Sequence, residues 1–172
     1  MATRLTCGLM VTAVLCCMCA CSYTWTASLD GDGTRRTVQL DTVENRLFPH
    51  RPGLEYELTD RLKEEIALDR RLILGEGGGD VRLKVSLTTF SEPNLVEDFE
   101  TGQPAEILLR ATATVEASGE AFTGGTVRRK VSVSTSYTPL LGDSKREGLD
   151  RLWRDLAREI LDIAADKEWA AN

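Results

Sequence analysis

The sequence has no cysteine after Cys21 and only one histidine, His50. Nothing beyond position 21 can therefore form a disulfide or a thiolate metal site, and a zinc site built on a histidine pair is excluded. A Ser-His-Asp system would have to use His50, which sits in a turn between Pro49 and Arg51-Pro52, and no Gly-x-Ser-x-Gly elbow supplies its serine. Positive charge is also in deficit. There are 21 Lys and Arg against 27 Asp and Glu, a formal net charge of −6, which argues against nucleic-acid binding by overall electrostatics. Consecutive carboxylates such as Glu64-Glu65 and Glu97-Asp98 point apart on regular backbone and form no acid/base pair. The composition therefore points away from an enzyme.

No apolar run is long enough for a confident membrane span. The best candidate, Leu5 to Ala20, is uncharged but short of the roughly 20 residues a spanning helix needs. With Arg4 before it, it has the layout of a secretory signal peptide. The stretch Met18-Cys19-Ala20-Cys21-Ser22 resembles a bacterial lipobox, in which a small residue precedes the cysteine that is acylated. This resemblance makes residues 1–20 a lipoprotein signal peptide, Cys21 the lipid attachment site and 21–36 a lipidated linker. Cys19 and Cys17 are poorer candidates, because Met18 and Cys16 precede them. Acyl chains on Cys21 would hold the domain to a bilayer, at about 0.8 kcal/mol per buried CH₂. Ser22 stands where an Asp tends to retain such lipoproteins in the inner membrane, so the resemblance favours the outer membrane.

Residues 37–172 read as a single α+β domain. Val38, Leu40 and Val43 mark a first strand. Leu54, Leu58, Leu62 and Ile66 recur every four residues and predict a helix ending near Arg71, with Glu57 and Arg61 paired across one turn. The cluster Gly75 to Gly79 is no phosphate loop, because Gly79-Asp80 leads into a strand and no Gly-Lys-Ser/Thr opens a helix. Strict alternation predicts strands over Val81 to Thr88, Ile107 to Glu116 and Val127 to Tyr137, with Arg129 a charged inward misfit. A second helix follows, over Lys145 to Trp169, with Leu152, Leu156 and Ile160 on its apolar stripe. Two one-faced helices need an apolar wall. The expected fold is thus two helices packed on one face of a mainly antiparallel four-stranded sheet, in the order β-α-β-β-β-α.

The uncovered sheet face should present Arg82, Lys84, Arg110, Arg128 and Lys130 among serines and threonines, with Glu116 as its one acid. Alternation requires that face to be polar but does not require it to be basic. It is either a solvated surface that deters edge aggregation or a seat for something polar and anionic, since guanidinium forks suit phosphate oxygens. The connection Ser91 to Ala105 is too long for an ordinary hairpin loop and is acidic, carrying Glu92, Glu97, Asp98 and Glu100 around Leu95, Val96 and Phe99. It is either an arm inserting those apolar residues into a partner or a mobile loop.

Several segments together resemble the LPS-assembly lipoprotein family LptE. They are Cys21-Ser22-Tyr23 after the lipobox, Val43-Glu44-Asn45-Arg46 with Phe48-Pro49, and Pro52-Gly53-Leu54-Glu55 leading into Leu58-Thr59-Asp60-Arg61-Leu62. The order of elements agrees across the body of the chain. The resemblance implies an outer-membrane lipoprotein, facing the periplasm, that plugs and helps assemble an LptD-like β-barrel and assists lipopolysaccharide delivery to the outer leaflet. It implies neither cofactor nor covalent chemistry, and no nucleic acid among the partners. Arg128 and Lys130, then Arg110, are the candidate contacts to lipopolysaccharide phosphates. The alternative is a lipoprotein accessory subunit of an ABC-type transporter or secretion machine, with a similar sheet-and-helix build.

Overall fold

The computed structural model describes residues 35–165 except 121, 123 and 124. The signal segment, Cys21 and residues 166–169 of the expected second helix lie outside the described residues. The elements run β1 (Arg36–Leu40), β2 (Glu44–Asn45), α1 (Leu54–Leu68), β3 (Leu72–Leu74), β4 (Val81–Ser91), β5 (Asn94–Glu97), β6 (Pro104–Ser118), β7 (Thr126–Tyr137), a short 3-10 turn (Pro139–Leu141) and α2 (Lys145–Ala165). No helix among the described residues is long and apolar enough to cross a membrane.

The four-stranded, mainly antiparallel sheet expected from alternation is corrected to a mixed sheet of seven strands. β1 pairs in parallel with both β3 and β4, through Val38↔Leu74 and Val38↔Val81. Parallel neighbours need a crossover, and α1 supplies the one between β1 and β3. β2 continues the line of β1 along β4, pairing Glu44↔Ser86 and Asn45↔Leu87. On the other side β4, β6 and β7 are antiparallel, with β6 in the middle. β5 lies beyond the end of β4 and pairs with the first residues of β6, so the long 91–105 connection is a hairpin arm.

The alternation of β4 sends Val81, Leu83, Val85 and Leu87 inward, each at most 2% exposed. On β6 the inward set is Leu109, Ala111, Ala113, Val115 and Ala117. Against this wall lie Leu58, Leu62 and Ile66 of α1 and Leu152, Leu156 and Ile160 of α2, and burying side chains of this size contributes about 1.5–3 kcal/mol each. The alanines on β6 leave room for the helices, and Gly148 of α2 does the same. A Cβ at Gly148 would stand 3.0 Å from Leu109 and 3.2 Å from Tyr137. α2 opens with a capping box, in which Glu147 N–H donates to Ser144 Oγ (3.2 Å) while Ser144 N–H donates to Glu147 Oε2 (3.0 Å).

One expected detail differs. Arg61 does not pair with Glu57 but bridges to Glu64 (2.9 Å) and to Asp150 of α2, while Glu57 Oε2 accepts the indole N–H of Trp153 at 3.0 Å. A β-bulge between Leu87 and Thr89 then shifts the phase of β4 by one residue. Phe90 is thereby turned to the helix side, where its ring stacks 5.7 Å from Trp153.

Candidate functional site

Both helices lie on one side of the sheet, so among the described residues the other side is uncovered. Its composition follows from the pleat, because residues between inward apolar positions must point outward. Rung by rung it carries Lys84, Glu116 and Arg128, then Ser86, Thr114 and Lys130, then Thr112 with Ser132, then Arg110 with Ser134. The strands place all three nominated side chains, Arg110, Arg128 and Lys130, on this one face, and each is exposed. Arg129, between two of them, points to the helix side and is half-buried.

The face is less one-sided in charge than its strands alone suggested. Arg128 Nε lies 3.2 Å from Glu116 Oε1, and Arg82 lies 3.1 Å from Asp41. β2 adds Glu44, whose carboxylate is 2.8 Å from Arg46 Nη2 and accepts the Ser86 hydroxyl at 3.2 Å. The Arg46 bond is the largest influence on Glu44, outweighing partial desolvation, and with the Ser86 bond and the nearby Lys84 it holds that carboxyl below its ordinary range. Glu44 is therefore a fixed negative charge at neutral pH. Arg110 and Lys130 differ from Arg128 in having no ion-pair partner among the described residues. About four residues of β6 separate their rungs, roughly 13 Å at 3.3 Å per residue.

Between those two cations lie hydroxyl residues, Ser132 exposed and Thr112 buried beneath its neighbours. Thr112 Oγ1 and Ser132 Oγ are 3.0 Å apart, and Thr88 Oγ1 donates to the Thr112 carbonyl at 3.1 Å. This surface can accept and donate hydrogen bonds and can neutralise anions at two separated points. His50 is exposed in the loop before α1. No group of three or more His, Cys, Asp or Glu among the described residues could hold a metal ion.

Sequence reasoning missed Asp41, Glu44 and Arg46 as members of this face. Glu44 and Asn45 form a two-residue strand, too short to show a period, although Glu44 and Arg46 are spaced as same-side neighbours. A cavity of about 350 Å³ between the helix ends is lined by Glu65, Asp69, Arg71, Arg158 and Asp162. Its charges already satisfy one another, Arg158 to Glu65 at 3.1 Å and Arg71 to Asp162 at 2.7 Å, so it offers little to a ligand.

The family model described as LptE, lipopolysaccharide-assembly, matches residues 35–162. No curated protein matches the chain in sequence. Among solved structures, a hypothetical protein from Chlamydia trachomatis is similar with a TM-score of 0.56 at 11% identity, over 81% of this chain and 100% of that one. A protein from Xanthomonas campestris gives a TM-score of 0.57 at 7% identity, over 79% and 87%. Rare lipoprotein B from Shewanella oneidensis gives 0.49 at 19% identity, over 77% and 96%. The first two share the fold with this chain.

Proposed function

The chain belongs to the LptE family of lipopolysaccharide assembly, and from that premise we propose that it is an outer-membrane lipoprotein that seats inside an LptD-like β-barrel as a plug, helps that barrel assemble and assists delivery of lipopolysaccharide to the outer leaflet. The observation that carries the proposal is the uncovered sheet face. A protein that lay free in solution would need that face only to be polar. A plug needs more, because barrel lumens are polar and a body seated in one must meet hydroxyl and charged groups with its own. The rows of Ser, Thr and paired charges across β4, β6 and β7 meet that requirement.

The same face supports contact with lipopolysaccharide. Its phosphates are anionic, and Arg110 and Lys130 carry charge with no ion-pair partner among the described residues. Arg128 can join them by exchanging Glu116 for phosphate. Cys21 is the proposed lipid attachment site. The role requires no covalent chemistry, and it engages no nucleic acid.

The test is purification of the tagged full-length lipoprotein from detergent-solubilised envelope. A large outer-membrane barrel and bound lipopolysaccharide are expected to accompany it. Recovery with a transporter subunit would support the accessory alternative instead, and recovery alone would remove the proposal.

A further inference from the structure

Among the described strands, β5 pairs only with the start of β6, and the two form a hairpin. All four residues of β5 are exposed, and β6 runs three residues past Ile107, where β7 ends at Tyr137. Such a two-stranded projection is marginal unless something covers it. Alongside its acidic residues, its outer part carries Leu95 (55% exposed), Val96 (47%) and Phe99, which is fully exposed. Leu140 and Leu141, also exposed, sit at the same end of the sheet, on the turn that follows β7.

The arm is nevertheless built to hold one shape. Asp98 accepts the N–H groups of Glu100 (3.0 Å) and Thr101 (2.8 Å), and the Thr101 hydroxyl at 2.8 Å. The turn closes through Asp98 N–H to the Gln103 carbonyl at 2.8 Å, with Gly102 in the left-handed region at φ 67°. At the base of the arm, Glu92 bridges Arg51, ahead of α1, and Lys145, at the start of α2 (2.6 Å). The arm is thus tied to the segment before α1 and to the start of α2.

Its charge decides what it fits. Between Glu92 and Arg110 there is no Lys or Arg, while Glu97, Asp98, Glu100 and Glu106 are all acidic. An anionic lipid surface or a lipopolysaccharide phosphate would be repelled. Exposure of the side chains on both faces of β5 also suits insertion into a recess better than resting on a flat surface. We propose that this arm is a docking prong for a protein partner, entering an apolar recess rimmed by Lys and Arg, with Phe99 as its buried anchor. The prong deepens the barrel-plug reading and rests on it for the identity of the partner. It would fix the orientation of the domain in the lumen while the hydroxyl-rich face meets the wall.

The test places p-benzoylphenylalanine at Phe99, and separately at Ser132 on the open face, in the full-length lipoprotein in its own envelope. Irradiation should join position 99 to the same barrel that copurifies with the protein. Reversing charge with Glu97→Lys and Glu100→Lys should lower that adduct about tenfold, the scale of losing one interfacial anchor, while leaving the Ser132 adduct in place. The prong is overturned, with the plug intact, if position 132 joins the barrel but position 99 joins only lipid, another protein or nothing, or is indifferent to charge reversal. An equally strong lipid adduct at position 99 in vesicles of phosphatidylethanolamine and phosphatidylglycerol would overturn it as well. Failure of both positions to reach a barrel would remove the plug along with the prong.

Discussion

Arg128 Nε faces Glu116 Oε1 at 3.2 Å across the β6–β7 ladder, on the same face where Arg110 and Lys130 have no ion-pair partner among the described residues. The three nominated cations are therefore not equivalent. Both partners of the pair are well exposed, so the pair itself is worth only about 0–1 kcal/mol. Glu116→Gln should free Arg128 and tighten binding of lipopolysaccharide to the purified protein by less than about fivefold, in keeping with that small figure. Arg110→Gln combined with Lys130→Gln should weaken it by about tenfold, the scale of losing two exposed ion contacts worth about 0–1 kcal/mol each. Unchanged binding in the double variant would reduce both residues to solubilising charge.

Core packing makes a second expectation. Leu156 is fully buried where α2 meets the sheet, so Leu156→Ala should cost about 2–5 kcal/mol, read from the shift of the urea midpoint at constant slope. A near-zero shift would refute the packing of α2.

The join between β6 and β7 should be equally intolerant at one glycine. Gly119 has φ 143°, and a Cβ there would stand 2.1 Å from the Asp80 carbonyl oxygen. That oxygen belongs to backbone and cannot step aside. Gly119→Ala should destabilise by about 1–3 kcal/mol from backbone strain alone, with the collision adding to it. Gly102→Ala, with open space around it, should cost less. Equal thermal midpoints for the two variants would contradict the close approach.

Acid should loosen the domain through its paired carboxylates. Burial opposes ionisation of Asp69, but the Arg71 guanidinium and backbone N–H outweigh it and hold the carboxyl below its ordinary 3.8. The side chain of Arg151 does the same for Asp143. Because these folded-state values are depressed, the unfolded chain binds more protons as pH falls, so stability is fully present above about pH 5 and is lost as pH drops through the folded values. Urea midpoints should be level from pH 7 to about 5 and decline toward pH 3. A midpoint that rose on acidification would contradict the assignment.

The strands that bury one whole face were legible in the sequence, because Val81 to Leu87 and Leu109 to Val115 could not alternate otherwise. The apolar stripe of α2 was legible for the same reason. What escaped has a common cause. β2, β3 and β5 are two to four residues long, and no period can be read over that span. The parallel pairing of β1 is set by the crossover through α1, which local pattern does not record. Phe90 escaped because the bulge at Leu87–Thr89 moves it out of phase with the residues before it. Glu57 and Arg61 were correctly placed one turn apart, yet each was captured by α2, through Trp153 and Asp150. The face carrying Arg110, Arg128 and Lys130 was visible in alternation, but the acids that share it came from β2 and the residues beside it.

Accessibility of the open sheet face in the envelope tests the central claim most directly. The chain has no cysteine after Cys21, so Ser132→Cys provides a single thiol in the domain once Cys21 is acylated. Its rate of reaction with a water-soluble maleimide can be compared between the full-length lipoprotein in its envelope and the same protein purified away from any partner. Seating in a barrel lumen predicts reaction at least about tenfold slower in the envelope, since a site must be closed more than nine-tenths of the time to react that slowly. Equal rates in the two states would show that the face stays open to water and would contradict the plug.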